Sequence, residues 1–207
     1  MLLYETITFI ALFVLAISAS IPAIKRRFDL FGVAFIAFIT ALGGGTVRDV
    51  MLGEFPVSWI ASPLMSIAII AGLAVSFVFT KRITKFRRTF FWFDTVGIAA
   101  MTVVGTSKAI EAGIPDFNTV FFGVISAIFG GIIRDTLCNE VPLIFRKEFY
   151  ALPCIVGGYL YLILVKLNAP DFVSTSAAIV FIIIFRFLAI KYKLSTPKLY
   201  SKLKTAK

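Results

Sequence analysis

Seven apolar stretches follow one another along the chain with short polar joints between them: residues 4–24, 30–52, 57–80, 90–109, 117–138, 150–167 and 172–190. Each is close to the roughly 20 residues that cross the hydrocarbon core of a bilayer as a helix. No water is present there to satisfy free backbone groups, so such a stretch closes its hydrogen bonds within itself. The expectation is an all-α membrane protein with seven transmembrane helices. Composition agrees: 59% of the residues are hydrophobic and 15% charged, against about 25% charged in a soluble domain.

The net charge of +10 would point to nucleic acid in a soluble chain. Here the basic residues sit in the joints, so no nucleic-acid partner is expected. Lys25, Arg26 and Arg27 follow the first run, and Lys81, Arg82, Lys85, Arg87 and Arg88 follow the third. Arg146 and Lys147 follow the fifth, and a lysine-rich tail follows the seventh. The other joints carry Glu5, Glu54, Glu111, Asp116 and Asp171, with Lys166. The positive-inside rule then places the N-terminus outside and the C-terminus in the cytoplasm of a multi-pass cell-membrane protein. The basic face can also contact anionic lipid headgroups. Residues 1–190 read as a single transmembrane domain and 191–207 as a basic cytoplasmic tail.

No histidine is present, which excludes Ser-His-Asp and Cys-His catalysis and HExxH zinc sites. The two cysteines, Cys138 and Cys154, give no disulfide framework. The first run lacks a basic segment before it, so no cleavable signal peptide is expected. No nucleophile–base pair, metal-ligand cluster or phosphate loop stands out, and an enzyme is not expected.

An internal repeat organises the runs. Gly44-Gly45-Thr46-Val47-Arg48-Asp49 returns as Gly130-Gly131-Ile132-Ile133-Arg134-Asp135, a shift of 86 residues. The same shift pairs Phe31 with Phe117, Phe35 with Phe121, Glu54 with Glu140 and Pro56 with Pro142. Repeat one covers about 4–80, repeat two about 90–167, and a seventh helix at about 172–190 lies outside both. Three spans is an odd number, so the second repeat enters from the opposite face, as in many transporters whose substrate site lies between inverted repeats.

The glycines fall inside apolar runs: Gly43, Gly44 and Gly45 in the second, Gly130 and Gly131 in the fifth. Each costs about 1 kcal/mol relative to alanine in a helix interior. Such clusters are expected to kink or unwind the helices so that backbone carbonyls line an ion or solute path. The alternative is close helix packing through small residues. Arg48-Asp49 and Arg134-Asp135 follow the glycines, and charges in apolar spans face a bundle interior or an aqueous cavity. At about 1.5 Å per residue the arginines should approach the two mouths of a path, with the glycines nearer its waist. Thr40 and Ser126 stand one turn before the glycines, either facing the path or bonded back to the helix. Asp94, near the start of the fourth run, is either interfacial or on the path. Lys108 either snorkels to the interface or sets a field in a vestibule.

The segments Phe28–Gly32 and Thr40–Asp49, with Gly130–Asp135, Glu140–Pro142 and Phe149–Pro153, resemble the two repeats of the prokaryotic branch of the trimeric intracellular cation (TRIC) channel family. The likeness covers nearly the whole chain. It implies a homotrimer with a pore in each subunit, passing monovalent cations, chiefly potassium with sodium also possible, and no cofactor. It implies that kinked second and fifth helices line the pore. It implies pore roles for Gly43, Gly44, Gly45, Arg48, Asp49, Gly130, Gly131, Arg134 and Asp135. Close bacterial relatives on the same pattern are called glycine transporters, so a carrier of a small zwitterion such as glycine is the alternative. Two departures stand out. Thr8 holds a position where relatives often have aspartate, and Phe129 replaces the first glycine of the second cluster, where it offers an apolar gate.

Overall fold

The computed structural model describes residues 2–80, 87–145 and 149–194, with the side chains of Arg87 and Arg88 excepted. The remaining basic residues of the third joint, Arg146, Lys147 and the tail from 195 lie outside the described residues. The helices are α1 (Leu2–Lys25), α2 (Leu30–Leu52), α3 (Ser58–Ala61), α4 (Pro63–Val78), α5 (Arg87–Glu111), α6 (Asp116–Leu137), α7 (Leu152–Lys166) and α8 (Asp171–Lys191).

Local chemistry fixes the ends. The Asp29 carboxylate accepts from the Gly32 amide and caps α2, while Gly53 ends it in the left-handed conformation at φ 74°. Proline opens α4 and α7 in the first turn, where its missing donor costs nothing. The third apolar run departs from expectation. It divides at Ser62–Pro63 into a single turn, α3, and the 16-residue α4. Its counterpart in repeat two behaves alike: a 3₁₀ turn at Leu143–Phe145 precedes the 15-residue α7. These two apolar helices are shorter than a full span, whereas α1, α2, α5, α6 and α8 are long and apolar enough to cross a membrane.

The packing follows an inverted repeat. α2 packs on α6 and α1 on α5, each helix against its own counterpart. The other pairs are matched across the repeat: α1–α2 with α5–α6, and α1–α4 with α5–α7. α8 adds itself against α5 and α7. The core between α1, α2, α5 and α6 is built of small and branched residues, including Ala11, Ala37, Ala41, Ile98 and Ala99.

Glycine does not break the helices. α2 runs as one α-helix through Gly43–Gly45, and α6 through Gly130–Gly131, so the expected unwinding is corrected. The reason lies in the crossing of α2 and α6. A Cβ on Gly44 would collide with the backbone carbonyl of Ser126, and one on Gly130 with that of Thr40. These are the same contact seen from each repeat. The small residues bring two backbones together, and both helices stay unbroken through their glycines.

Candidate functional site

Each Arg-Asp pair turns into protein. Arg48 is 2% exposed and Arg134 0%, which excludes headgroup anchors for both. In repeat one, the Asp49 Oδ1 accepts from Arg48 Nε at 2.8 Å and Nη2 at 2.6 Å. The other oxygen, Oδ2, accepts from the backbone N–H of Ser58 at 2.8 Å and from the Ser58 hydroxyl, so it caps α3. In repeat two, Asp135 Oδ1 accepts from Arg134 Nε at 2.8 Å, and Oδ2 accepts from the Leu143 amide at 3.0 Å. One device thus serves both repeats: the aspartate neutralises its neighbour and ties down the short turn that follows.

The repeats differ in the third partner. Arg48 Nη1 donates to the hydroxyl of Ser126 at 2.8 Å, across the repeat boundary. Arg134 Nη1 donates to Asp94 Oδ1 at 2.9 Å within repeat two. Asp94 Oδ2 then accepts from Arg186 Nη2 at 3.3 Å, and Arg186 Nε donates to the Thr95 hydroxyl at 3.1 Å. Asp94 is 1% exposed. The interfacial reading of Asp94 is therefore corrected: α5 starts at Arg87, which sets Asp94 two turns inside the helix. Arg134 Nη2, Arg186 Nη1 and Tyr150 Oη are buried without a hydrogen-bond partner among the described residues.

Among the described residues, three cavities lie beside Arg48, Asp49, Lys108 and Asp135, and Asp94, Arg134, Tyr150 and Arg186 line none of these three. At the end that holds the start of α1, a cavity of about 390 Å³ is lined by Tyr4, Glu5, Ser107, Glu111 and Asp171. It shares Thr8, Met65, Val104 and Lys108 with a cavity of about 40 Å³ that reaches Leu12, Gly45, Arg48 and Met101, large enough for a few waters. At the opposite end, a cavity of about 500 Å³ is lined by Ile21, Lys25, Arg26, Phe90, Asp135 and Glu140. The two ends share no lining residue. Along α1, in the stretch from Thr8 to Arg26, Ile17 and Ile21 pack with Phe13, Val75, Phe90 and Phe93, and Ile21 and Phe90 also line the larger cavity.

Lys108, near the end of α5, reaches into the polar joint that follows α2. Its ammonium donates to Glu54 at 2.7 Å and Ser58 at 2.7 Å, and lies 3.4 Å from Asp49. Arg48, Lys108, Arg134 and Arg186 are thereby matched by Asp49, Glu54, Asp94 and Asp135.

The family model described as Glycine transporter matches residues 5–81 and 91–166, the two repeats. The chain belongs to the glycine transporter family. An inner membrane protein of Escherichia coli K12, YadS of the UPF0126 group, is 34% identical over 89% of this chain and 90% of its own length. YvgT, a membrane protein of Bacillus subtilis, is 31% identical over 75% and 77%. Among solved structures, the TRIC orthologue of Rhodobacter sphaeroides superposes with a TM-score of 0.88 at 27% identity, over 94% of this chain and all of that one. A TRIC cation channel solved to explain conductance gives 0.83 at 35% identity, over 94% and 96%. This glycine transporter family member is thus a multi-pass membrane protein with the TRIC fold.

Within this family member the expected site residues separate into groups. Gly45, Arg48 and Asp49 line the small cavity, and Asp135 lines the cavity at the opposite end. Gly43, Gly44, Gly130, Thr40 and Ser126 lie in the α2–α6 crossing, where the Thr40 hydroxyl donates back to the Ile36 carbonyl at 2.6 Å. Gly131 faces Tyr150, whose hydroxyl would stand 3.0 Å from an added Cβ. Phe129 is half-buried against the main core and lines none of these three cavities. Arg186 and Tyr150 escaped the sequence reading because neither belongs to the doubled motif. A lone arginine in the seventh apolar run was the available signal for Arg186.

Proposed function

We propose that the chain is a potassium-permeable, monovalent cation channel with a path within each subunit of a homotrimer. The carrying observation is the pair of cavity systems that enter from opposite ends of α1 and reach Gly45, Arg48 and Asp49 on one side and Asp135 on the other. The two solved TRIC channels with the same fold, one of them trimeric, support this reading. The fixed arginines do not oppose cations, because each lies against a carboxylate. Glu5, Glu111 and Asp171 at the first mouth outnumber Lys108 there and raise the local cation concentration. α2 and α6 contribute the path residues from their ends past the crossing, while Gly44 and Gly130 hold the two helices together. The apolar block of Ile17, Ile21, Phe90 and Phe93 closes the route by excluding water.

The mouth with the acidic residues faces outward and the end bearing Lys25 and Arg26 faces the cytoplasm, following the charge rule. Purified protein in a planar bilayer under a potassium chloride gradient tests the proposal. Discrete current steps that reverse near the potassium equilibrium potential are expected; their absence defeats it.

A second reading is favoured by two observations. The cavities at the two ends are separate, and Trp59 Nε1 is buried without a partner among the described residues beside the small one. That arrangement also suits a carrier that takes a small zwitterion such as glycine by alternating access. Saturable uptake of radiolabelled glycine into proteoliposomes, without current steps, would favour it.

A further inference from the structure

Asp94 and Arg186 mark a difference between the two repeats. At the position equivalent to Asp94, repeat one carries Thr8. Arg48 there is satisfied by its own aspartate and by the neutral Ser126 hydroxyl. In repeat two an extra carboxylate is buried beside Arg134, with two oxygens to satisfy. Arg134 takes one oxygen and Arg186 the other. Arg186 comes from α8, the helix with no counterpart in the repeat, and is 3% exposed. Its Cζ stands 4.4 Å from the centre of the Tyr150 ring and 5.4 Å from that of Phe91, so the guanidinium is held between aromatic faces as well as by Asp94 and Thr95.

We infer that Arg186 is a positioning residue for the path: it cancels the second half of the Asp94 charge and holds that carboxylate on Arg134. This rests on the channel reading for its electrical consequence and on geometry alone for its structural one. Asp94 lies one helical turn from Phe90, which forms part of the wall of the cavity at the Arg26 end and of the apolar block. In a low-dielectric interior a charge released there is felt at the constriction. A buried carboxylate with a single cation left to share is also costly, whereas removing acid and base together leaves Arg134 with one neighbouring carboxylate, as Arg48 has in repeat one.

The test uses the full-length protein in detergent and in planar bilayers. R186L is expected to lower thermal stability, and D94T/R186L to regain most of the loss. A double variant no more stable than R186L overturns the coupling. Under a potassium chloride gradient, R186K keeps the wild-type reversal potential, while R186L moves it further toward the potassium equilibrium potential and D94T/R186L moves it back. If R186L yields no protein, R186Q replaces it in both assays. An R186L or R186Q channel with lowered stability and an unmoved reversal potential overturns the positioning role. Wild-type protein without any conductance defeats the channel reading, and the stability cycle then still decides whether Arg186 and Asp94 act as a pair.

Discussion

The α-carbon of Gly44 lies against the backbone carbonyl of Ser126, so closely that no side chain fits between α2 and α6. Gly130 repeats the contact on the carbonyl of Thr40. The obstacle is backbone in both cases and cannot rotate away. Gly44→Ala and Gly130→Ala are therefore expected to destabilise the protein at or beyond the upper end of the about 1–3 kcal/mol typical of overpacking. Thermal unfolding in detergent measures it; wild-type melting for both variants would contradict the crossing.

Gly45 separates packing from permeation. An added Cβ there meets only the ends of Arg48 and Met101, at 3.7 and 3.8 Å, which is ordinary contact. It points toward the small cavity that Gly45 lines. Gly45→Ala should leave thermal stability near wild type, or slightly raised, and reduce unitary conductance in bilayer recordings.

Asp49 carries both the Nε and Nη2 bonds of Arg48. Asp49→Asn leaves a buried guanidinium without its countercharge, at a cost of about 3–5 kcal/mol. Arg48→Met/Asp49→Asn removes both charges and should be the more stable of the two variants. Comparing the melting of the single and double variants decides this.

Tyr150 Oη has no hydrogen-bond partner among the described residues, although its ring supports Arg186. Tyr150→Phe keeps the ring and removes a polar group whose burial is uncompensated, a group that costs about 1–3 kcal/mol. The variant is expected to match or exceed wild-type stability. Gly131→Ala, whose Cβ would sit 3.0 Å from that hydroxyl, should be better tolerated in the Tyr150→Phe background.

The closure can be placed by two substitutions. Ile21 and Phe90 belong both to the apolar block and to the wall of the cavity at the Arg26 end. Phe129 packs on the main core away from the three cavities. Ile21→Ser should wet the constriction and raise open probability in single-channel records, while Phe129→Ala should leave open probability unchanged and lower stability. The opposite pattern would return the gate to Phe129.

The sequence by itself determined the helical membrane character, the doubling of a three-run unit and its inversion, because hydrophobic length and an odd number of spans follow from local composition alone. It also marked Arg48, Asp49, Arg134 and Asp135, since charges in apolar runs must be buried in protein or water. It could not tell helix-breaking glycines from packed ones. That choice depends on whether a second backbone stands opposite, and Gly44 meets its partner 82 residues away at Ser126. Nor could it join Asp94 to Arg186, or Lys108 to Glu54. Such ion pairs are set by the rotation of each helix about its axis in the packed bundle and, for Glu54, by the path of the joint after α2, and only the tertiary structure fixes these.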